Sequence, residues 1–274
     1  MQKQSATNQA ANWQLQLSAL SLKKRQKIHR LLKLIGPIQA EKALEIGCDK
    51  GVISYHLRQQ TACLWTSVDA SAENVAATRG LVGNGVIAME DNHLPFGDKY
   101  FDLVVCVDFL EHIDGDAEFV KEMRRVLRDT GQMIVTVPHV HPLLIVNRIA
   151  RWLGITKEYY NHKRDGYSFA HLARLLKEAN LAVTGKGTVI GLVTEAMEFS
   201  FNFIYSRFLG KSSGKAGAKG RITMGSAKEY KRHKGKLLML KLLFPLLYIL
   251  SKLDVLLAFL PGYILVVTCE KDQT

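Results

Sequence analysis

Ala43-Leu44-Glu45-Ile46-Gly47-Cys48-Asp49-Lys50-Gly51 decides how this chain is read. Ala43 to Ile46 reads as a short buried strand, and Gly47 ends it. Gly51 precedes Val52 to Gln60, a helix candidate. Glycine takes positive φ at low cost and lets backbone come close to a ligand. N–H groups at such a turn and at the helix start can hold a carboxylate or a phosphate. Tight turns use glycine in many folds, so the stretch gains meaning only from the residues beyond Gln60.

Outward from this turn, strands and helices alternate. Leu64 to Val68 is a second strand ending at Asp69, and Ser71 to Arg79 is the next helix candidate. A carboxylate at that strand end can accept two hydrogen bonds from a ribose diol; it can also simply cap the helix behind it. The ribose reading fits a nicotinamide nucleotide as well as other ribosides. Val86 to Met89 is a third strand, and the apolar run Phe101 to Val107 suits a fully buried fourth. Asp116 to Leu127 is helical, Asp129-Thr130-Gly131 is a turn, and Met133 to Val137 is a fifth strand. Such β–α repeats imply a parallel sheet covered on both faces. Beyond Pro138, helices are expected over 142–153 and from Phe169 to Ala179. A strand is expected within 181–193 and a last one from Tyr263 to Cys269.

With these residues in place, the chain resembles the class I S-adenosylmethionine-dependent methyltransferases of the type 11 group. Glu45-Ile46-Gly47-Cys48-Asp49-Lys50-Gly51 is similar to the first family motif, with Asp49 where the middle glycine usually stands. YFDLVVCVDFLEHI (100–113) resembles the fourth strand and its loop, and EMRRVLRDTGQMIVTVPH (122–139) the next helix, turn and strand. The resemblance implies an α/β, Rossmann-like, mostly parallel seven-stranded sheet with helices on both faces and a C-terminal insertion before the last strand. It implies S-adenosylmethionine as cofactor, with Glu45, Gly47, Cys48, Gly51, Asp69, Glu90, Asp91 and Asp108 around it. The methionine end goes to Gly47 and Gly51, the ribose to Asp69, and the adenine to the neighbourhood of Glu90 and Asp91.

Methyl transfer needs an in-line nucleophile held near the sulfonium. An oxygen nucleophile usually also needs a base. His112, His139 and His141 are the candidate bases, since they fall at the expected carboxyl edge of the sheet. His112 can instead orient its loop, and His139 can cap a strand end. His162 and Arg164, in the polar segment before the next helix, could reach over the pocket. No metal site is expected: Cys48, Cys63, Cys106 and Cys269 show no CxxC spacing. They also give no disulfide framework, and a reducing compartment is the simplest setting.

The 274 residues carry 37 basic and 25 acidic side chains, for a net charge of +12. That balance favours anionic partners without choosing among them. The polar first dozen residues are expected to fray. The N-terminus has no clear secretory signal, so a cytoplasmic protein is expected. The organisation reads as a basic helical extension (1–40), a cofactor-binding core (41–198), a basic and apolar helical insertion (199–260), and a final strand and tail (261–274). The basic face near Lys23 to Lys33 is either solvated or in contact with phosphate or anionic lipid. Gly210 to Gly225 reads as a basic loop, and 237–260 is strongly apolar. Lysines and Pro245 interrupt that run, which is short for a span of about 20 residues. A lid, or a lid that also lies in a membrane interface, is expected instead. The acceptor is then an apolar, lipid-linked or other small molecule, with the enzyme peripheral on the inner face of a membrane. An RNA or protein acceptor, or a non-catalytic cofactor-binding protein, are the alternatives. No nucleic-acid-binding module is recognisable, so no specific nucleic acid is expected.

Overall fold

The computed structural model describes residues 13–154, 162–204 and 234–272. The segments 1–12 and 210–225, expected to fray and to form a loop, lie outside the described residues, as does most of the polar stretch before His162. Within the described chain, contacts define two compact units.

The larger unit comprises residues 28–141, 162–189 and 263–272. Its seven strands are β1 (Lys42–Ile46), β2 (Leu64–Asp69), β3 (Val86–Ala88), β4 (Phe101–Val107), β5 (Leu127–Pro138), β6 (Leu181–Val189) and β7 (Ile264–Lys271). They lie in the order β3-β2-β1-β4-β5-β7-β6. Neighbours among the first five are parallel, while β7 runs antiparallel to both β5 and β6. The Rossmann-like, mostly parallel seven-stranded sheet is therefore present, with its last strand entering after the long insertion. The strand order reverses between β1 and β4, and such a switch point opens a crevice at the carboxyl ends of the strands.

Alternation along each strand splits the core into two layers. Leu44, Ile46, Val104, Cys106 and Val135 face one side. There they meet Phe119, Val120 and Met123 of one helix (Asp116–Val126) and Leu172 and Leu176 of another (Phe169–Glu178). Ala43, Leu103, Val105 and Ile134 face the other side, against Leu57 of the helix Val52–Gln60 and against Leu31 and Ile35. The basic helical extension expected over 1–40 contains two helices, Trp13–Ser18 and Leu22–Ile35, and the second puts Leu31 and Ile35 in the core.

One element differs from the sequence reading. β5 begins at Leu127 rather than at Met133. Its register with β4 jumps from Phe101↔Leu127 to Leu103↔Gln132. Asp129-Thr130-Gly131, read as a turn, is thus a bulge inside a continuous strand. A Cβ on Gly131 would stand 3.0 Å from the carbonyl oxygen of Asp102, so the residue facing β4 there has to be small.

The second unit holds 13–27, 142–154, 190–204 and 234–262. It contains the helices Ile145–Trp152, Leu192–Ile204 and Lys234–Ser251, followed by a 3-10 turn, Lys252–Val255. Asp254 holds the start of the middle helix, accepting from the N–H groups of Val193 (2.7 Å) and Thr194 (3.2 Å) and from the Thr194 hydroxyl (2.6 Å). Two of the basic N-terminal residues are also committed. Lys23 pairs with Glu195 at 2.6 Å, and the Arg25 guanidinium lies 5.3 Å from the ring centres of Phe244 and Tyr248.

Candidate active site

The turn after β1 is built from three left-handed residues. Gly47 has φ 82°, Asp49 φ 47° and Gly51 φ 79°. Aspartate is among the few side chains that enter this region at modest cost, which explains how Asp49 replaces a glycine. Gly47 has no such latitude: a Cβ there would stand 2.6 Å from the carbonyl oxygen of Val107 and 3.3 Å from the Phe109 side chain. Gly51 is closed by Thr78, whose Cα would lie 2.9 Å from an added Cβ. The Thr78 hydroxyl donates to the Asp49 carbonyl at 3.0 Å, tying this turn to the helix Ala72–Val82.

Asp69 ends β2 beside this turn and is nearly buried. Its Oδ2 accepts from the Asp49 N–H at 3.0 Å. Its Oδ1 accepts from the Ser71 N–H at 2.9 Å and from Asn74 Nδ2 at 3.1 Å. The carboxylate is therefore oriented from both sides, and each oxygen keeps lone-pair capacity for a diol. Asp108, at the end of β4, is also left-handed (φ 45°) and accepts from the Thr136 hydroxyl at 2.8 Å. Gly47, Asp69 and Asp108 thus stand at the ends of three neighbouring strands. Glu90 and Asp91 are exposed past β3, in a turn where Asp91 and Asn92 both take positive φ.

Glu45 is wholly buried. Its Oε2 accepts from the hydroxyls of Ser54 and Ser67, each at 2.5 Å, while Oε1 has no hydrogen-bond partner among the described residues. Burial pushes its carboxyl above its ordinary value of 4.5, against the lowering effect of the two serines and Arg58. S-adenosylmethionine fits this set of residues. Its ammonium end would meet a spare buried acceptor in Glu45, its carboxylate would meet turn amides, and its ribose the oriented Asp69. Cys48 is buried, and its thiol is pushed up to about 12 by that burial, so it serves as a packing residue rather than a nucleophile.

The raised Glu45 value has a testable sign. Below the unfolded value the carboxyl is neutral in both states. As pH rises through the folded value, the folded protein has to hold a buried charge and loses stability. Without cofactor, the wild-type thermal midpoint should fall, relative to that of Glu45→Gln, as pH rises above the ordinary carboxyl value of 4.5. Parallel curves for the two proteins would refute this.

The three candidate bases occupy different places. His139 directly follows β5; it is nearly buried and its N–H donates to the Tyr263 carbonyl at 3.0 Å. His141 is exposed, with its ring centre 5.6 Å from that of His139. His112 lies in a 3-10 turn (Leu110–His112), edge-on to His162 at 4.7 Å between centres. Arg164 does not reach outward. It pairs with Asp116 and donates to the carbonyls of Ile113 (2.8 Å) and Asp114 (3.1 Å). Sequence reasoning missed Ser54, Ser67, Asn74, Thr78 and Thr136, all of which hold site residues through contacts between separate elements.

A methyltransferase-domain family model matches residues 44–135. Ajmaline N-methyltransferase of Rauvolfia serpentina is 30% identical over 36% of this chain and 36% of its own length. Ubiquinone biosynthesis O-methyltransferase of Caulobacter sp. strain K31 is 28% identical over 44% of this chain and 47% of its own. The chain thus spans less than half the length of these two curated relatives. The solved structure of an S-adenosylmethionine-dependent methyltransferase from Thermotoga maritima superimposes with a TM-score of 0.50 at 16% identity, covering 90% of each chain. The matched segment holds β1 to β4, most of β5 and the three strand-end residues, so residues 44–135 form a methyltransferase domain, set in a sheet with the fold of S-adenosylmethionine-dependent methyltransferases.

Proposed function

We propose that this protein moves a methyl group from S-adenosylmethionine to an apolar or lipid-linked small molecule, working at the cytoplasmic, anionic face of a membrane. The cofactor supplies an electrophilic methyl on a sulfonium. The protein's part is to hold it with Gly47, Gly51, Asp69 and Glu45. An acceptor hydroxyl would release its proton to one of His112, His139 or His141. The names of the two curated relatives point to small organic acceptors and support that part of the reading.

The observation that carries the membrane reading lies in the second unit. Leu242, Ile249, Val255, Leu256 and Phe259 are all largely exposed on the Lys234–Ser251 helix and the turns after it, with Phe259 at 79%. Trp152, on another helix of the same unit, is 84% exposed. Large apolar groups left exposed in such number mark surface meant to be covered. Among the described residues no helix is long and apolar enough to cross a membrane. Burying one such side chain is worth about 1.5–3 kcal/mol, and a lysine near an anionic bilayer adds about 1 kcal/mol. Apolar insertion therefore dominates, and salt should weaken attachment without abolishing it.

Two measurements test the proposal. The intact protein should float with vesicles of phosphatidylserine and phosphatidylcholine. A Leu242→Gln, Ile249→Gln, Phe259→Gln variant should partition at least about tenfold less while staying folded, since each site is already exposed. In cell fractions given a radiolabelled methyl donor, label should enter the solvent-extractable lipid and quinone fraction. Label confined to RNA or protein would overturn the acceptor class. Equal flotation of the variant would overturn the membrane surface.

A further inference from the structure

We propose that Glu111, His112 and His162 form a binding site for one divalent metal ion of the zinc type. One ligand atom from each residue lies within 4.8 Å of the other two. A zinc ion sits about 2.0–2.2 Å from nitrogen and carboxylate ligands, so each atom needs to move inward by less than about 1 Å. Two imidazoles and one carboxylate suit borderline ions such as Zn²⁺ rather than Mg²⁺ or Ca²⁺, which prefer oxygen ligands. Three protein ligands also leave a position open for an oxygen.

The ligands stand on a braced platform. His162 comes from a segment fifty positions further along the chain than its partners, and its successors pin it to their loop. The Lys163 N–H donates to the Glu111 carbonyl at 2.8 Å, and the Lys163 ammonium pairs with Asp114 at 3.0 Å. Arg164 holds Asp116 and the carbonyls of Ile113 and Asp114. The Tyr167 hydroxyl lies 2.8 Å from Asp116. Glu111 itself is only 1% exposed, so its carboxylate sits away from bulk water, while His112 and His162 are half-buried and reachable. Outer contacts that orient ligands in this way are what metal sites depend on. The edge-on packing of the two imidazoles keeps both rings beside Glu111.

Metal binding does not depend on the methyltransferase reading. Its use does: an acceptor hydroxyl or water on the open position would lose its proton more readily there, with His112 then a ligand and the role of base left to His139 or His141. The test is carried out on the full chain, stripped with a chelator. Calorimetry with zinc chloride should give one equivalent per chain. Cobalt chloride should give the visible absorption of a site with nitrogen ligands. His112→Gln and His162→Gln should each weaken zinc binding by at least about tenfold and erase that absorption. His56→Gln should change neither. Far-ultraviolet dichroism and binding of the demethylated cofactor product establish that the variants are folded. Zinc binding of equal strength in the double variant His112→Gln, His162→Gln would overturn the proposal, as would no saturable binding to the wild type. Loss of methyl transfer with zinc binding intact would count against the proposed function and not against this site.

Discussion

Gly47→Ala should lose at least about a hundredfold in S-adenosylmethionine affinity and about 2–3 kcal/mol of stability, whereas Gly80→Ala should gain about 0.5–1 kcal/mol and bind normally. The same chemical change is made at both positions, and only the surroundings differ. At Gly47 the backbone is left-handed, and the new methyl would stand 2.6 Å from the Val107 carbonyl oxygen. Neither backbone can yield cheaply, because β1 and β4 are central strands paired along their length. Relief comes only by tilting the turn that carries Asp49 and Gly51. That tilt also breaks the 3.0 Å bond from the Asp49 N–H to Asp69. At Gly80 nothing lies within 4 Å of the added carbon, and the residue sits inside the helix Ala72–Val82. Alanine there only removes glycine's entropy cost. Urea unfolding reads the stability, and calorimetry at low temperature, where the variant is still folded, reads the affinity. Wild-type affinity in folded Gly47→Ala would show that the turn after β1 does not hold the cofactor.

How much of the fold and site was legible in the sequence depends on how far apart the partners lie. The sheet could be read because β4 is an apolar run, β1 and β2 are short strand-like stretches, and the three stop at Asp108, Gly47 and Asp69. Those end residues also mark the crevice, so the strand-end part of the candidate site could be read with it. The bulge at Asp129-Thr130-Gly131 could not, since those residues read as a turn and only the pairing with β4 makes them part of a strand. Glu45 could be placed in the first motif, but its two serines stand nine and twenty-two positions away on other elements. No local pattern links them. The basic N-terminal stretch was read as a solvated or anion-facing surface. Leu31 and Ile35 on the same helix proved to be core residues, and Lys23 and Arg25 are held by Glu195 and two aromatic rings. Charge on a sequence does not reveal which cations already have partners. His162 and Arg164 show the same limit: they were read as groups reaching over the pocket, and their contacts fix them to the loop after β4.

Arg164→Met should destabilise the protein by about 3 kcal/mol, near the lower end of what a buried ion pair loses when one partner is removed. Asp116 and Arg164 have side-chain exposures of 10% and 24%. Both are largely desolvated, so the surviving carboxylate would be left almost buried without its cation. The loss stays at the low end because Asp116 retains other donors, the Tyr167 hydroxyl at 2.8 Å and the Ala117 N–H at 3.0 Å. Arg164→Lys should restore only part of the loss. A single ammonium can answer the charge, but it cannot reach Asp116 and the carbonyls of Ile113 and Asp114 with a fixed fork of donors. Adding Asp116→Asn to Arg164→Met should recover at least about half of the lost stability, because the uncompensated charge is gone. Tyr167 belongs to the same group: it is wholly buried, and burial together with Asp116 holds its hydroxyl well above the ordinary value, so it stays a donor to that carboxylate. Urea unfolding of the four proteins at neutral pH checks this. If Arg164→Met lies within about 0.5 kcal/mol of wild type, as an ordinary surface substitution would, then Arg164 does not brace the segment that carries His162.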